Sequence, residues 1–318
     1  MAVLITGGAG FIGSHVAERL LAATEHTLVL LDNFNDYYDP LLKQANIASV
    51  MENPRVTIVP GDFRDAASTV RLFREHGIRQ VIHLGAYAGV PASVQHPQRY
   101  IETNVGGTLS LLEAAREHPV ERFLFASSST VYGRGAAAPF VEDASLGIPL
   151  SPYGASKRAA ELLGFTYHGL HGVPFTSLRL FNVYGPRLRP ELALAVFARA
   201  ILDERPLPLF GDGSTLRDFT HIDDICAGIL AAMSAGGLAG ECLNLGHDHP
   251  IEIRHLIRLI EQAAGKTAHI ERHPARAEDM PLTHADLTKS RRLLGYQPQV
   301  PIERGVEEYV QWVRNQLR

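Results

Sequence analysis

The sequence lacks the features that would tie a chain together covalently or anchor it in a membrane. Only two cysteines, Cys226 and Cys242, occur among 318 residues, and no CxxC pair is present. Neither a disulfide framework nor a cysteine-based zinc site is therefore expected. The longest stretch without a charged residue or a histidine, 225–240, contains several glycines and is too short to span a bilayer. No basic segment followed by an apolar one precedes the first glycines, so a cytoplasmic protein without a signal peptide or membrane partner is expected.

Neither sign of charge dominates. The 30 basic and 34 acidic residues give a formal net charge of −4 and a pI near 6.4, which argues against a nucleic-acid partner but leaves room for a local basic pocket. The close histidine pairs His168/His171 and His247/His249 have no neighbouring acid–histidine motif, so no metal is expected. The length and the ordinary hydrophobic fraction predict a globular protein with two lobes.

The first half of the chain alternates β-branched runs with helical spacing. This alternation predicts an α/β fold, a Rossmann-type doubly wound parallel sheet with a smaller α/β domain for substrate binding. The predicted strands are 3–6, 27–31, 56–59, 81–84, 122–126 and 173–180, and the predicted helices are 12–23, 41–51, 66–76, 104–118 and 155–171. After residue 181, prolines 186, 190, 206 and 208 predict loops around helix 194–203, followed by helices 223–232, 253–264 and 288–294 and a last helix through Trp312.

A glycine-rich turn follows the first strand. Gly7, Gly10 and Gly13, with Phe11 and Ile12 between the last two, permit a tight turn and a close backbone approach to a pyrophosphate. The helix that follows presents free N–H groups to phosphates. We therefore predict a dinucleotide-binding domain of residues 1–181 plus about 220–246, and a second domain of 182–219 and 247–318.

Acidic and small residues follow the next strands. Asp32 is placed to accept hydrogen bonds from the adenosine ribose, and its neighbour Asn33 offers no cation for a 2′-phosphate, so NAD is favoured over NADP. Asp62, with Phe63 beside it, is a candidate for the adenine amino group. The segment 85–89, which includes Ala86 and follows Leu84 at the end of the fourth strand, brings bare backbone near the cofactor, and Leu84 is a candidate cofactor contact as well. Either of the last two features is also compatible with a simple turn at a strand end.

A YxxxK pattern opens the helix after Pro152. The spacing places the Tyr153 phenol and the Lys157 ammonium on one helix face. A lysine cation and the positive nicotinamide of NAD⁺ would both lower the pKa of the phenol, which makes Tyr153 a base for a sugar hydroxyl. The hydroxyls of 127–130 end the preceding strand; one of them can bind the same substrate oxygen, while others can simply cap backbone groups. No GxSxG motif is present, so serine hydrolysis is not expected.

These motifs together resemble the extended short-chain dehydrogenase/reductase family, and within it the NAD-dependent nucleotide-sugar epimerases. The resemblance is carried in order by the GxxGxxG turn, Asp32, the SSSTVYG strand end (127–133), YGASK (153–157) and RLFNVYGP (179–186). It implies that Ser128 supplies the catalytic hydroxyl, Tyr153 the base and Lys157 the orienting lysine. It also implies a structural and cofactor-side role for Asn104, and a homodimer formed through helices 104–118 and 155–171.

The second lobe matches the family's nucleoside-diphosphate site. By resemblance, Arg217 and Arg276 would bind the diphosphate and Asp279 the ribose; taken singly, each arginine also fits a surface ion pair. Around the sugar and uracil, the same match places Asn182, Leu194, Phe197 and Phe210.

The resemblance also indicates the chemistry. Ser129–Thr130 stands where the related 4,6-dehydratases have an Asp–Glu pair and the uronate decarboxylases a glutamate. The reaction left is 4-epimerisation of a UDP-sugar through a 4-keto intermediate, with NAD unchanged overall. A non-catalytic NAD-sensing protein of the same fold is the alternative class.

Two segments are similar to those of UDP-glucuronate 4-epimerases, namely 32–40 and Arg189–Ala193. Arg189 would pair with the sugar carboxylate in converting UDP-glucuronate to UDP-galacturonate, although a solvated loop arginine is the simpler alternative. Asn182 and Pro91 depart from that group, which usually has threonine and arginine there. UDP-glucose and a UDP-N-acetylhexosamine are the alternative substrates.

Overall fold

The computed structural model describes residues 1–316. Its strands are β1 (Ala2–Thr6), β2 (Thr27–Asp32), β3 (Val56–Pro60), β4 (Ile78–His83), β5 (Arg122–Ser128), β6 (Phe175–Leu180), β7 (Val183–Tyr184), β8 (Pro206–Phe210), β9 (Leu216–Arg217), β10 (Thr220–His221), β11 (Cys242–Leu245), β12 (Ile251–Glu252) and β13 (His269–His273). Seven of them form one parallel sheet in the order β11-β6-β5-β4-β1-β2-β3. The remaining strands pair two by two: β7 with β10, β9 with β12, and β8 with β13.

The helices are α1 (Phe11–Ala23), α2 (Pro40–Ile47), α3 (Ala66–His76), α4 (Val90–Gln95), α5 (Pro97–Tyr100), α6 (Gly107–Glu117), α7 (Pro152–His171), α8 (Ala193–Leu202), α9 (Ile222–Ser234), α10 (Ile253–Ala264), α11 (Thr288–Leu294) and α12 (Ile302–Gln316). A π-helical turn (Ile101–Gly106) precedes α6, and a 3₁₀ turn (Ser129–Val131) follows β5. Across residues 1–316, no helix is long and apolar enough to cross a membrane.

Successive strand residues point to opposite faces of the central sheet. In β1, Val3 and Ile5 pack with α1 in one apolar cluster, whereas Leu4 packs with α3 and α6 in another. This alternation buries both faces, as a parallel sheet covered by helices requires. The chain changes direction between β1 and β4, which lie side by side, and such a switch point opens a crevice at the carboxyl ends of the strands.

The predicted elements differ from the observed ones in several places, and the strands β7 and β9 to β13 were not predicted. The segment Pro206–Phe210 is strand β8 rather than the predicted loop, because it pairs with β13. Since β13 is its only neighbour within residues 1–316, β8 is an edge strand, and an edge strand tolerates prolines. The helix predicted over 104–118 begins only at Gly107, since the turn before it is π-helical. The helix predicted over 41–51 ends at Ile47. The short helices α4 and α5, each with a proline in its first turn, were not predicted.

Candidate active site

A cleft of about 770 Å³ lies at the carboxyl ends of the central strands and extends to β8 and β9. Every predicted site residue lines it except Asp62 and Asn104. On the cofactor side these residues are Gly7, Gly10, Phe11, Ile12, Gly13, Asp32, Asn33, Phe63, Leu84 and Ala86; in the middle, Ser128, Tyr153 and Lys157; and on the far side, Asn182, Arg189, Leu194, Phe197, Phe210, Arg217, Arg276 and Asp279.

The glycine turn is shaped so that only glycine fits. Gly7 has φ +65°, and a Cβ placed on Gly13 would lie 2.1 Å from the Gly7 carbonyl oxygen. Helix α1 begins after Gly10 with no side-chain cap, so the first N–H groups of the helix face the cleft without a side-chain acceptor. A bare backbone cradle ending in a helix N-terminus fits a pyrophosphate.

Asp32 ends β2 at the edge of this cradle. Its carboxylate accepts hydrogen bonds from the backbone N–H of Ala9 (3.2 Å) and of Phe34 (2.9 Å). Lys43, on α2, brings its ammonium to 3.7 Å from the same carboxylate and lines the cleft. The prediction of NAD considered only the neighbour Asn33, and the structure adds Lys43 as a cation beside Asp32. Lys43 escaped notice because it lies eleven residues downstream, on a helix that a loop folds back.

Asp62 and Asn104 lie outside the cleft lining. Asp62 is engaged by the Arg64 guanidinium at 2.7 Å and by the Asn33 amide at 2.9 Å, so its predicted contact with adenine stays a prediction. Asn104 is buried, and its side chain binds both the N–H and the C=O of Tyr87 as well as the Ser156 hydroxyl. Its observed contacts are structural, because they fix the segment after β4.

A buried histidine that sequence reasoning missed holds the same segment. The Thr108 hydroxyl donates to the Asn104 carbonyl (2.6 Å), so its oxygen accepts from His83 Nε2 at 3.0 Å. His83 Nδ1 lies 2.6 Å from the Thr6 hydroxyl, whose oxygen accepts from the Gly85 N–H. Burial holds the pKa of His83 well below its ordinary value, so the ring is neutral. The chain of bonds links the ends of β1 and β4 beneath the cofactor side.

The YxxxK pair occupies the first turns of α7, which Ser151 caps through the Gly154 N–H. The Lys157 ammonium donates to the Ala126 carbonyl at 2.7 Å and lies 4.7 Å from the centre of the Phe125 ring. Burial lowers the pKa of Lys157 to about 7. Lysine and tyrosine share the helix face as predicted, but the ammonium is directed at strand β5.

Burial raises the pKa of the Tyr153 phenol. A hydrogen bond with Ser128 and the charge of Arg189 oppose that rise. The Lys157 ammonium binds the Ala126 carbonyl and lies against the Phe125 ring, and its expected effect on the tyrosine pKa stays a prediction. Within the polypeptide, Ser128 and Arg189 favour the phenolate.

Ser128 is oriented by its neighbour. Its oxygen accepts from the Thr130 N–H (3.2 Å) and from the Thr130 hydroxyl (3.0 Å), which leaves the serine proton free to be donated. Ser129 is buried next to it. The strand end therefore presents one directed hydroxyl beside Tyr153 and no carboxylate from 127–130.

The far side of the cleft gathers charged side chains from distant segments. Arg217 on β9 and Arg276 after β13 both act on the Asp279 carboxylate, and the Arg276 guanidinium lies 3.5 Å from the centre of the Phe210 ring. Burial lowers the pKa of Arg217, with the Asp279 charge opposing it. Guanidinium groups can bind the oxygens of a diphosphate, and a carboxylate beside them can accept hydrogen bonds from the hydroxyls of a ribose.

Arg189 enters the cleft between the two sides. Its side chain is 18% exposed, pairs with Glu191 at 3.3 Å and lies 5.8 Å from the centre of the Tyr37 ring. Tyr38 also lines the cleft, and its buried hydroxyl has no partner among residues 1–316. Sequence reasoning did not single out Tyr37, Tyr38 or Glu191, although the first two lie in the segment 32–40 that carried part of the resemblance.

Comparisons with known proteins agree with this geometry. The sequence profile of the NAD dependent epimerase/dehydratase family matches residues 3–246. The chain is 39% identical over 315 residues to a UDP-glucuronate 4-epimerase of Thermodesulfobacterium geofontis, covering 99% of this chain and 96% of that protein.

Two solved structures are similar over the whole length. The UDP-glucuronic acid 4-epimerase from Bacillus cereus in complex with UDP-glucuronic acid and NAD gives a TM-score of 0.95 at 36% identity, with 100% of both chains covered. A UDP-glucose 4-epimerase from Thermotoga maritima gives 0.91 at 31% identity, again with 100% of both chains covered. The predicted fold, the enzyme class and the NAD cofactor are thereby confirmed. The chain belongs to the NAD dependent epimerase/dehydratase family.

Proposed function

We propose that the protein interconverts UDP-glucuronate and UDP-galacturonate by epimerisation at C4 of the sugar. The observation that carries this proposal is the position of Arg189, whose charge acts on the Tyr153 phenol from within the cleft. A sugar whose 4-hydroxyl meets Tyr153 would bring its C6 carboxylate towards that guanidinium, and such a contact is charge-assisted. The similar proteins from T. geofontis and B. cereus, both UDP-glucuronate 4-epimerases by name, support this substrate.

The residues divide the proton chemistry between them. Tyr153 takes the proton of the 4-hydroxyl, and Ser128 donates a hydrogen bond to the same oxygen, oriented by Thr130. When bound, NAD supplies the acceptor and donor of the hydride. After the 4-keto sugar has turned its other face, Tyr153 returns the proton. Lys157, fixed on Ala126, completes the helix face beside the ribose and the phenol.

We assign the remaining site residues to two groups. The glycine turn with Phe11 and Ile12, the ribose acid Asp32 with Lys43, and the segment around Ala86 would hold NAD. Asn33, Asp62, Phe63, Leu84 and the positioning residue Asn104 would complete that side. Arg217, Arg276 and Asp279 would hold the UDP moiety, with Asn182, Leu194, Phe197 and Phe210 around the sugar and base. The domain division 1–181 with about 220–246, against 182–219 with 247–318, follows these two groups.

The chain's own residues disfavour loss of water or carbon dioxide. Ser129 and Thr130 carry no carboxylate, and the Thr130 hydroxyl is committed to Ser128. Neither residue can act as the additional acid or base that the related reactions use. Simple epimerisation is the reaction that these groups support.

The second candidate substrate is UDP-glucose, since Arg189 already has an internal partner in Glu191 and a UDP-glucose 4-epimerase is among the similar structures. Incubating the purified protein with UDP-glucuronate and with UDP-glucose, separately and at equal concentration, distinguishes the two. We expect conversion of UDP-glucuronate to its C4 epimer and little change in UDP-glucose. Conversion of the neutral sugar alone would refute the proposed role of Arg189.

We also propose a homodimer formed through α6 and α7. Leu109 on α6 and Leu162 and Leu170 on α7 are exposed apolar side chains, 38%, 62% and 73% accessible. Burial of such side chains against a second copy would remove apolar surface from water. Light scattering should give twice the chain mass for the wild type and a smaller mass for Leu162→Asp, whereas a monomeric wild type would contradict the proposal.

A cytoplasmic location is part of the same proposal. Cys226 and Cys242 are both free and buried. Thiols kept in this state suit a reducing compartment.

A further inference from the structure

The segment that carries Arg189 is anchored to the cofactor helix. Arg187 donates to Glu18 Oε1 at 2.7 Å and to the Ser14 hydroxyl at 3.3 Å, and both acceptors lie on α1. His15, between them in sequence, donates from Nε2 to the Pro186 carbonyl at 3.0 Å. Three residues on two successive turns of one helix therefore bind two residues of this segment.

The contact between Arg187 and α1 includes a strained backbone conformation and a further hydrogen bond to Glu18. Arg187 has φ +66°, a left-handed conformation that a non-glycine residue adopts only where its surroundings impose it. Glu18 is held in turn by the Ser49 hydroxyl at 2.5 Å. The side chains of Glu18 and Arg187 are 29% and 22% exposed, so the pair is partly shielded from solvent. The Glu18–Arg187 pair is therefore better shielded from solvent, and held by more hydrogen bonds, than an exposed surface ion pair.

One buried residue connects Arg187 to Arg189. Leu188 is buried in the main apolar cluster, and Arg189 follows directly into the cleft, where its carbonyl accepts from the Leu192 N–H ahead of α8. Only Leu188 separates the anchored residue from Arg189. A rotation at Arg187 would therefore be passed to the Arg189 guanidinium.

We infer that the Glu18–Arg187 pair is a positioning element that sets Arg189 for a carboxylated sugar, and that it links the substrate segment to the helix that begins at the glycine turn. This inference rests on the proposed function, because it assigns Arg189 to the sugar carboxylate. Neither Glu18 nor Arg187 need touch the substrate. The pair would act mainly on affinity for the carboxylate and, because the Arg189 charge also favours the Tyr153 phenolate, to a smaller extent on the proton transfer.

The test compares UDP-glucuronate with UDP, which lacks the carboxylate, as ligands of the NAD-loaded protein. We expect Glu18→Gln and Arg187→Lys to weaken UDP-glucuronate binding about fivefold while leaving UDP binding unchanged. In turnover, KM for UDP-glucuronate should rise by more than kcat falls, because the Arg189 charge bears on the carboxylate first and on the Tyr153 phenol second. Arg19→Ala is the matched control, since Arg19 forms a 2.6 Å ion pair from the same helix to Asp223 and not to the Arg189 segment.

A double-mutant cycle separates positioning from general destabilisation. In an Arg189→Ala background, Glu18→Gln should cause no additional loss of UDP-glucuronate affinity, because the group it positions is gone. Full additivity, equal weakening of UDP, or unchanged affinity in both pair variants would overturn the inference. If the wild type does not epimerise UDP-glucuronate, the proposed substrate itself fails, and the inference fails with it.

Discussion

The two ends of the cleft are built in different ways. At the cofactor end, backbone makes the site: Gly7 and Gly13 exclude any side chain, and His83 and Asn104 lock the neighbouring turn. At the nucleotide-sugar end, long charged side chains make it, and each already has an internal partner, as Arg276 has Phe210 and Arg189 has Glu191. The first end is fixed before a ligand arrives, whereas the second must exchange contacts.

This difference predicts different responses to substitution. Steric changes at the cofactor end should weaken NAD binding strongly and to the same extent at every salt concentration, because backbone contacts leave no room to adjust. Charge changes at the sugar end should give graded losses that ionic strength modulates. The catalytic residues lie where the two ends meet.

The largest effect is expected at that junction. Tyr153→Phe removes the proton acceptor, so kcat should fall about 1,000-fold. NAD affinity, measured by fluorescence quenching or calorimetry, should stay within about twofold because the glycine cradle is intact. Turnover that survives the substitution would show that another group carries the proton.

The next effect tests the rigidity of the cofactor end. A Cβ on Gly13 would lie 2.1 Å from the Gly7 carbonyl oxygen, so Gly13→Ala should weaken NAD binding on the order of 100-fold. Gly169→Ala is the matched control, since a Cβ there meets nothing within 4 Å and the residue lies within α7. Retained NAD affinity in Gly13→Ala would mean that the turn adapts.

A graded effect is expected at the sugar end. Arg276→Ala should weaken UDP binding about 20-fold at low salt, because a charge-assisted contact to phosphate is lost. The ratio between variant and wild type should shrink as salt is raised. Arg272→Ala, an exposed arginine on β13, serves as the control. If the loss of UDP affinity in Arg276→Ala were the same at every salt concentration, Arg276 would behave like the residues of the cofactor end, and the proposed difference between the two ends would be contradicted.

The smallest effect concerns pH. The pKa of Lys157 is about 7 in the folded chain against an ordinary 10.5. Between pH 7 and 10.5 the unfolded chain holds a proton on Lys157 that the folded chain has released, so the free energy of unfolding rises with pH. This stabilising contribution is complete above pH 10.5 and is lost as the pH falls towards 7. The free energy of unfolding from urea titrations at pH 7 and pH 9 should therefore rise more in wild type than in Lys157→Met. Parallel changes in the two proteins would contradict the assignment.

The cofactor end could be predicted from sequence because its determinants are local. The glycine turn, Asp32 and the YxxxK pair are each read from a few consecutive residues, and the strand–helix alternation places them at one sheet edge. Arg217 and Arg276, about sixty residues apart, were identified only through resemblance, because no local pattern signals their convergence on Asp279.

What escaped prediction depends on long-range contacts. Lys43 reaches Asp32 only because α2 folds back, and His83 reads as an ordinary strand residue until its two hydroxyl partners are seen. The strand Pro206–Phe210 was missed because its prolines argue against a strand until its single partner, β13, is known. In each case tertiary pairing overrides a local rule.

The most direct test of the central claim is the product formed from UDP-glucuronate in the presence of catalytic NAD, followed by proton NMR. We predict an equilibrium mixture of UDP-glucuronate and UDP-galacturonate, with all six sugar carbons retained and no accumulation of NADH. Release of carbon dioxide, accumulation of NADH, or an unchanged UDP-glucuronate spectrum would contradict it.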